Sequence, residues 1–384
     1  MKILFISNLF PDTREPYRGL DNATVLHALA PRNEIRVIAA RPALPWAGRQ
    51  EFAARPIDAP FRPQYATVRY IPKVGSFFNH QLFAADIRAA MAALRRDFDF
   101  DVLLGAWMYP DGCAIAQLAA EVQRPFVLIA QGSDVHSYLH NRTRRRLIVD
   151  AAGRAHAVIT RSADLAKRLE QAGVDGARLH PVYNGVDFTT FHPGDRMAAR
   201  KELNLPGAAK IILFVGNLLP VKQPLHLLGA FAQLDSSHHL VMVGGGPLEN
   251  VARLFAQKAK CAERVVFAGR KSAPEVARYM QAADVLCLAS KNEGVPNVVL
   301  EAFACGLRVV TTDVGGLHEV FSAAHLGRLV NPMKLEELTS ALAEVVASPA
   351  DTPRILEHAR QFSWADAGVK YQRLLEEAIS ARWR

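Results

Sequence analysis

Apolar positions in this chain gather into short unbroken runs, each followed by a polar turn and then by a stretch with the period of a helix. Lys2 to Ser7 is the first such run, Asn22 to Leu29 has helical spacing, and Ile35 to Ala39 is the second run. The alternation continues through Ala84 to Arg96 (helix), Asp101 to Ala106 (strand), a helix ending at Glu121, Pro125 to Ala130 (strand) and Ala155 to Thr160 (strand). It resumes after Lys210 with the runs Ile211 to Val215, Leu240 to Val243, Val265 to Ala268, Val285 to Leu288 and Arg308 to Thr312. Runs that are apolar throughout, rather than at every second residue, are strands buried on both faces of a parallel sheet. Strands alternating with helices predict a doubly wound α/β architecture.

The clearest unit runs from Val285 to Gly306. A buried strand stops at polar Ser290-Lys291-Asn292-Glu293, Gly294 and Pro296 form a turn, and a helix starts at or near Asn297 and ends before Gly306. A helix start aims unpaired backbone N–H groups and a positive dipole end beyond the carboxyl edge of the strand, which suits an anion. Glu293 and Glu301 bracket that position. Together they fit a nucleotide-sugar, with N–H groups on phosphate and carboxylates on sugar hydroxyls. Spacing alone equally fits a surface loop with a solvated acid and a carboxylate favoured by the helix dipole.

Composition narrows the class. With 384 residues, half of them apolar and 22% charged, the chain suits two soluble globular domains. No apolar run reaches the roughly 18 residues of a spanning helix. Ile3-Leu4-Phe5-Ile6, followed by Asn8 and Pro11, reads as a strand rather than a signal peptide. Cys113, Cys261, Cys287 and Cys305 lack metal or disulfide spacing and read as reduced core thiols, which places the chain in the cytoplasm. The 46 basic against 37 acidic residues give +9 and point to anionic partners. No nucleic-acid-binding motif accompanies that charge, so nucleic acid is excluded as a partner. An anionic membrane surface fits better, with a peripheral location at its inner face. The arginines Arg88, Arg95, Arg96 and Arg142 to Arg146, and the Pro- and aromatic-rich stretch from Ala43 to His80 containing Trp46 and Phe77, would supply it. The same stretch is long enough to be a lid or an acceptor surface.

The sequence Glu293 to Gly306, E-G-V-P-N-V-V-L-E-A-F-A-C-G, closely resembles the E-x7-E signature of the retaining glycosyltransferases of family 4, which have the GT-B fold and include enzymes of teichuronic-acid-type polysaccharide biosynthesis. Asn184-Gly185-Val186-Asp187 followed by Phe191-His192-Pro193 resembles the family's junction between domains. Gly216 to Gln223 resembles its G-R-x-x-x-x-K-G loop, with Lys222 in place, Asn217 where Arg is usual and Gln223 where Gly is usual. Gly244-Gly245-Gly246-Pro247 matches its Gly-rich turn, and Gly269-Arg270-Lys271 the segment that holds the base. Gln131-Gly132-Ser133-Asp134 resembles its His-Gly-x-Asp element with Gln131 replacing His. Gly19 is what remains of a Gly-Gly pair.

The resemblance implies two facing Rossmann-like domains with the active site in the cleft between them. Residues 1–187 would bind the acceptor, 188–362 the nucleotide-sugar, and the helix within 363–384 would cross back to the first domain. It implies retaining transfer of a sugar from a UDP- or GDP-sugar to a glycan or lipid-linked acceptor, with neither metal nor cofactor. Glu293, Lys222 and Gln131 are the implied catalytic set. Gly19, Asn217, Lys222, Gly245, Arg270, Glu293, Gly294, Pro296, Asn297, Val298 and Glu301 would hold the donor, with Glu301 on the ribose. Asp134, His136, Trp46 and Phe77 stand on the acceptor side. The rivals are a GT-B epimerase or phosphorylase, and a nucleotide-sugar-binding protein that has lost catalysis.

Overall fold

The computed structural model describes residues 1–46 and 50–381. It divides into two compact units, one formed by Met1–Asn184 with the segment from Trp364 onward, the other by Gly185–Ser363.

The first unit holds seven strands: β1 (Lys2–Ser7), β2 (Glu34–Ala43), β3 (Gln64–Arg69), β4 (Val102–Ala106), β5 (Phe126–Ala130), β6 (Ala157–Thr160) and β7 (Leu179–Pro181). They pair in the order β3-β2-β1-β4-β5-β6-β7, all parallel. Alternate residues of one strand serve two different cores. Leu4 and Ile6 of β1 pack with the helix Asn79–Leu94 on one face, while Ile3 and Phe5 pack with the helix Leu20–Leu29 on the other. Two-sided burial explains why β1 has no polar alternation.

The C-terminal helix Trp364–Ala381 belongs to this second face. Tyr371, Leu374, Leu375 and Ala378 are buried in the same core as Ile3 and Phe5. Burial of each large side chain contributes about 1.5–3 kcal/mol. Gly368 lies so close to Ala28 that an added Cβ would sit 3.3 Å from its methyl, and Gln372 accepts a 2.6 Å hydrogen bond from Asn33.

The second unit holds β8 (Lys210–Val215), β9 (His238–Val243), β10 (Val265–Gly269), β11 (Val285–Leu288), β12 (Arg308–Thr312) and β13 (Gly327–Val330), paired in the order β10-β9-β8-β11-β12-β13, again all parallel. The helix Asn297–Ala304 follows β11, and Gly306 takes the left-handed backbone (φ +73°) that ends it. Both units are therefore doubly wound parallel sheets. All four cysteines are buried free thiols, and burial pushes those of Cys113, Cys261, Cys287 and Cys305 up.

The short edge strands β3, β7 and β13 escape the apolar-run pattern. Only Val68 of β3 is buried, because an edge strand covers one face at most. The stretch from Ala43 to His80 is thus not one long loop: it contains β3, a 3-10 segment Pro56–Phe61 and a turn Lys73–Phe77. The arginines from Arg142 begin the helix Arg142–Arg154, whose N-cap Asn141 accepts from Arg144 N at 3.0 Å. No helix among the described residues is long and apolar enough to cross a membrane.

Asp111 ties the loop after β1 to the turn after β4. It is fully buried and accepts the Asn8 backbone N–H at 2.5 Å and the Asn8 amide at 2.8 and 2.9 Å. Burial outweighs these bonds and raises its pKa from 3.8 to about 7. The folded chain then keeps a proton that the unfolded chain has lost between those values. The stabilisation is complete below about pH 3.8 and is lost as pH rises toward 7. Urea melts of wild type and Asp111→Asn at pH 5 and pH 8 check this: wild type should lose more stability on going to pH 8 than the variant does.

Candidate functional site

In the second unit the expected donor residues share one topological position: each follows the carboxyl end of a strand. Asn217 follows β8, Gly245 follows β9, Arg270 follows β10, and the segment Glu293 to Glu301 follows β11. Carboxyl ends of parallel strands are where open α/β sheets bind ligands.

Backbone contacts lock these loops together. Leu218 N donates to Gly245 O at 3.1 Å, and Lys291 N donates to Val221 O at 2.8 Å. Thr312 Oγ1 donates to Ser290 O at 2.6 Å, and Gly316 N to Gly294 O at 3.1 Å. Gly315 has φ +58°, and any Cβ there would collide with the carbonyl of Glu293. Glycine at 315 is needed for the loop before the helix to keep its path.

The chemical centre of these loops is an ion pair. Lys222 Nζ donates to Glu293 Oε1 at 2.5 Å, and Ser290 Oγ donates to the same oxygen at 2.6 Å. The Glu293 side chain is 9% exposed and that of Lys222 is 24% exposed, so the pair is shielded from water without being sealed. Two residues expected to hold different parts of a donor thus hold each other. Pro296 precedes the helix and has no side-chain donor or acceptor with which to cap it. Asn297 and Glu301 are half-buried and lie one turn apart, hence on one face. Gly294, Pro296 and Val298 are half-buried, and nothing lies within 4 Å of the position a Gly294 Cβ would take. Asn217 and Arg270 are exposed, with Arg270 lying alongside Gly245. Ser290 and Gly315 are site residues outside the expected set. The Gly315-Gly316 doublet after β12 is the sequence signal for one of them; a lone serine gives none.

In the first unit the corresponding loops form a polar chain. Gly19 caps the helix Leu20–Leu29 with φ +62°, and a Cβ there would strike the Leu9 backbone. Gln131, after β5, donates Nε2 to Asn22 Oδ1 at 2.5 Å, and Asn22 donates to Leu9 O at 2.8 Å. Arg161, after β6, reaches the Tyr371 hydroxyl at 2.9 Å and lies 3.5 Å from Asn22 Oδ1. The C-terminal helix therefore reaches the carboxyl edge of this sheet through Tyr371.

Asp134 plays an internal part. It is fully buried, and its oxygens accept backbone N–H bonds from Met108 (2.8 Å), Gln131 (3.0 Å) and Gly132 (2.7 Å). It shapes the loop carrying Gln131 rather than facing an acceptor. His136 is largely buried, with Nε2 3.8 Å from Asp164. Trp46 (78% exposed) and Phe77 (60% exposed) are surface residues on different elements. Several of the arginines expected to meet a membrane already have partners. Arg88 is bonded to Glu121 at 2.7 and 2.8 Å, Arg95 lies 3.4 Å from Asp99, and Arg144 stacks over Tyr138 with 4.5 Å to the ring centre. Arg96, Arg142 and Arg146 are exposed.

Comparison with known proteins converges on one class. Residues 22–190 match the family model described as Glycosyltransferase Family 4, and residues 195–362 match that described as Glycosyl transferases group 1. TuaC of Bacillus subtilis, named for teichuronic acid biosynthesis, is 28% identical over 366 residues, spanning 89% of this chain and 88% of its own. A D-inositol 3-phosphate glycosyltransferase of Mycolicibacterium gilvum is 39% identical over 200 residues, half of this chain and 45% of its own. The chain spans about half the length of the inositol-phosphate relatives it matches. Among solved structures, HepE of Anabaena in complex with UDP and glucose superposes with a TM-score of 0.75 at 20% identity, covering 98% of this chain and all of that one. Its likeness is one of fold.

Gln223, after Lys222, adopts the left-handed region (φ +47°) as the N-cap of the helix Pro224–Ala232. A side chain in that region costs roughly 1–2 kcal/mol relative to glycine. Gln223→Gly should therefore raise stability, by about 1 kcal/mol once the extra freedom of the unfolded chain is subtracted. Thermal melts of the two proteins check the sign.

Proposed function

We propose that this chain, which belongs to the group 1 glycosyltransferases of GT-B fold, transfers a sugar from a nucleoside-diphosphate sugar to a glycan or lipid-linked glycan acceptor, with retention at the anomeric carbon. The observation that carries the reading is the Lys222–Glu293 pair at the carboxyl ends of β8 and β11, beside the start of the helix Asn297–Ala304. Glu293 is the anion that Lys222 holds in this structure. A donor brings a better one. Its diphosphate replaces Glu293 on Lys222 and meets the positive dipole end of the helix start, which carries no side-chain cap. The released carboxylate then accepts hydroxyls of the donor sugar, while Glu301, one turn along, accepts those of the ribose. Gly245 and Arg270 border the base.

Bond cleavage leaves the diphosphate with more negative charge than it had in the donor. A lysine and backbone N–H groups fixed in place stabilise that charge most in the transition state, which is where binding accelerates a reaction. In this reading neither a metal nor a cofactor is required. With Asn217 in place of a second cation, Lys222 bears more of the task. Gln131, fixed by Asn22, offers an amide to a sugar and does not relay a proton. The exposed Trp46 and Phe77 are acceptor-side contacts, and the relation to TuaC favours a polysaccharide acceptor. Gln131 and Asn217 also motivate a second reading, a nucleotide-sugar-binding protein without turnover. Donor hydrolysis above background counts against it.

Glu301→Ala should weaken binding of the plain nucleoside diphosphate at least about tenfold, because one charged hydrogen bond is worth roughly 1.5–3 kcal/mol. Glu293→Ala should lower turnover while leaving that affinity within a few-fold. A thermal-shift panel of UDP-, GDP- and ADP-sugars identifies the donor, and calorimetry on the two variants then checks the roles. The reverse pattern would reassign them.

A further inference from the structure

A cavity of the first unit lies at the opposite end of its sheet from Gln131 and Arg161. It has a volume of about 620 Å³ and opens at the amino ends of β5 and β6, walled by the ends of the helices Cys113–Val122, Arg142–Arg154 and Trp364–Ala381. Its floor is apolar, made of Ala116, Ala119, Phe126 and Ala378. Arg124, Arg154, Arg178 and His156 stand around it.

Each arginine is fixed without being used up. Arg154 donates to Ala116 O at 2.7 Å, Arg178 to Ala155 O at 2.6 Å, and Arg124 to Asp99 at 2.8 Å. A guanidinium has five N–H groups in a rigid fork, so these bonds orient it and leave donors over. Arg124 Nε is buried and has no hydrogen-bond partner. Among the described residues, acids offset part of the charge of the cluster. Asp99 is shared with Arg95, Asp150 is 67% exposed at 3.6 Å from Arg154, and Glu377 acts on His156 and on Arg373 at 3.7 Å. Among the described residues, no ion pair engages Arg178, which bonds the Ala155 carbonyl. Burial pushes the His156 imidazole below its ordinary pKa, with Glu377 opposing the shift and Arg178 adding to it. The spare, oriented N–H donors of these arginines are what the oxygens of an anion can use. A cavity of a few hundred Å³ with an apolar floor and a few fixed polar groups is the common form of a small-molecule site.

We propose that this cavity binds a phosphate-bearing ligand, with its phosphate oxygens on Arg154, Arg178 and Arg124 and an apolar portion on the alanine floor. The ligand is a soluble phosphorylated molecule or the headgroup of an anionic lipid; both present the same oxygens to the same forks. The site is separate from the proposed donor site in the second unit, and does not depend on that reading.

The test uses the full chain carrying Lys222→Ala, which removes the donor-site lysine. Inorganic pyrophosphate is titrated by calorimetry, and vesicles of phosphatidylglycerol in phosphatidylcholine are co-sedimented in parallel. Ala120→Glu adds a carboxylate at an exposed helix position on the cavity wall and leaves the arginines and their carbonyl contacts intact. Saturable binding that Ala120→Glu weakens at least about tenfold, and that Arg178→Gln also weakens, supports the proposal. Binding of pyrophosphate marks a soluble ligand, and binding of vesicles alone marks a headgroup. If neither probe binds, or if Ala120→Glu leaves binding unchanged, the proposal is overturned.

Discussion

The arrangement of this protein depends on one geometric constraint: strands of a parallel sheet all end on the same edge. That edge cannot pair its own last carbonyls and N–H groups, so the loops leaving it must do so, and here they do so with one another. Ser290, Gly294 and Lys291 are tied to Thr312, Gly316 and Val221 by bonds of 2.6 to 3.1 Å. Only because these loops are interlocked can a lysine from one and a glutamate from another meet at 2.5 Å. Removing a pair buried to this degree exposes neither partner fully to water, so a lone Glu293 or a lone Lys222 carries a penalty that an incoming ligand can remove. The ion pair is thus both a structural tie and a placeholder for charge.

At the same edge, the first unit solves the problem without an ion pair between its described loops. Asp134 spends its oxygens on backbone N–H groups of its own loop and of Met108, and Gln131, Asn22, Arg161 and Tyr371, from four parts of the unit, form a chain of contacts. Because Tyr371 comes from the C-terminal helix, that helix does more than cover apolar surface. Its apolar face sets its position, and its position sets a hydrogen bond at the carboxyl edge of the sheet.

Much of this was legible in the sequence because two-sided burial leaves a strong signal. Runs such as Val285 to Leu288 cannot be anything exposed, and the change of period at Asn297 marks a helix start within a residue. The edge strands were not legible, since β3 buries only Val68 and β7 buries little. Nor was the partnership of Lys222 with Glu293, which are 71 residues apart. Sequence patterns mark each as polar residues at a strand end, but which loop leans on which is decided by backbone contacts such as those of Gly315. Asp134 makes the converse case: an acid beside a turn reads as available for binding, and only its complete burial reveals that it serves the fold.

The central claim is that a diphosphate takes the place of Glu293 on Lys222. A crystal structure of the full chain with the preferred nucleoside diphosphate measures this directly. The account predicts Lys222 Nζ within hydrogen-bonding distance of a phosphate oxygen and parted from Glu293 Oε1. A diphosphate bound elsewhere, with the Lys222–Glu293 bond intact, would contradict it.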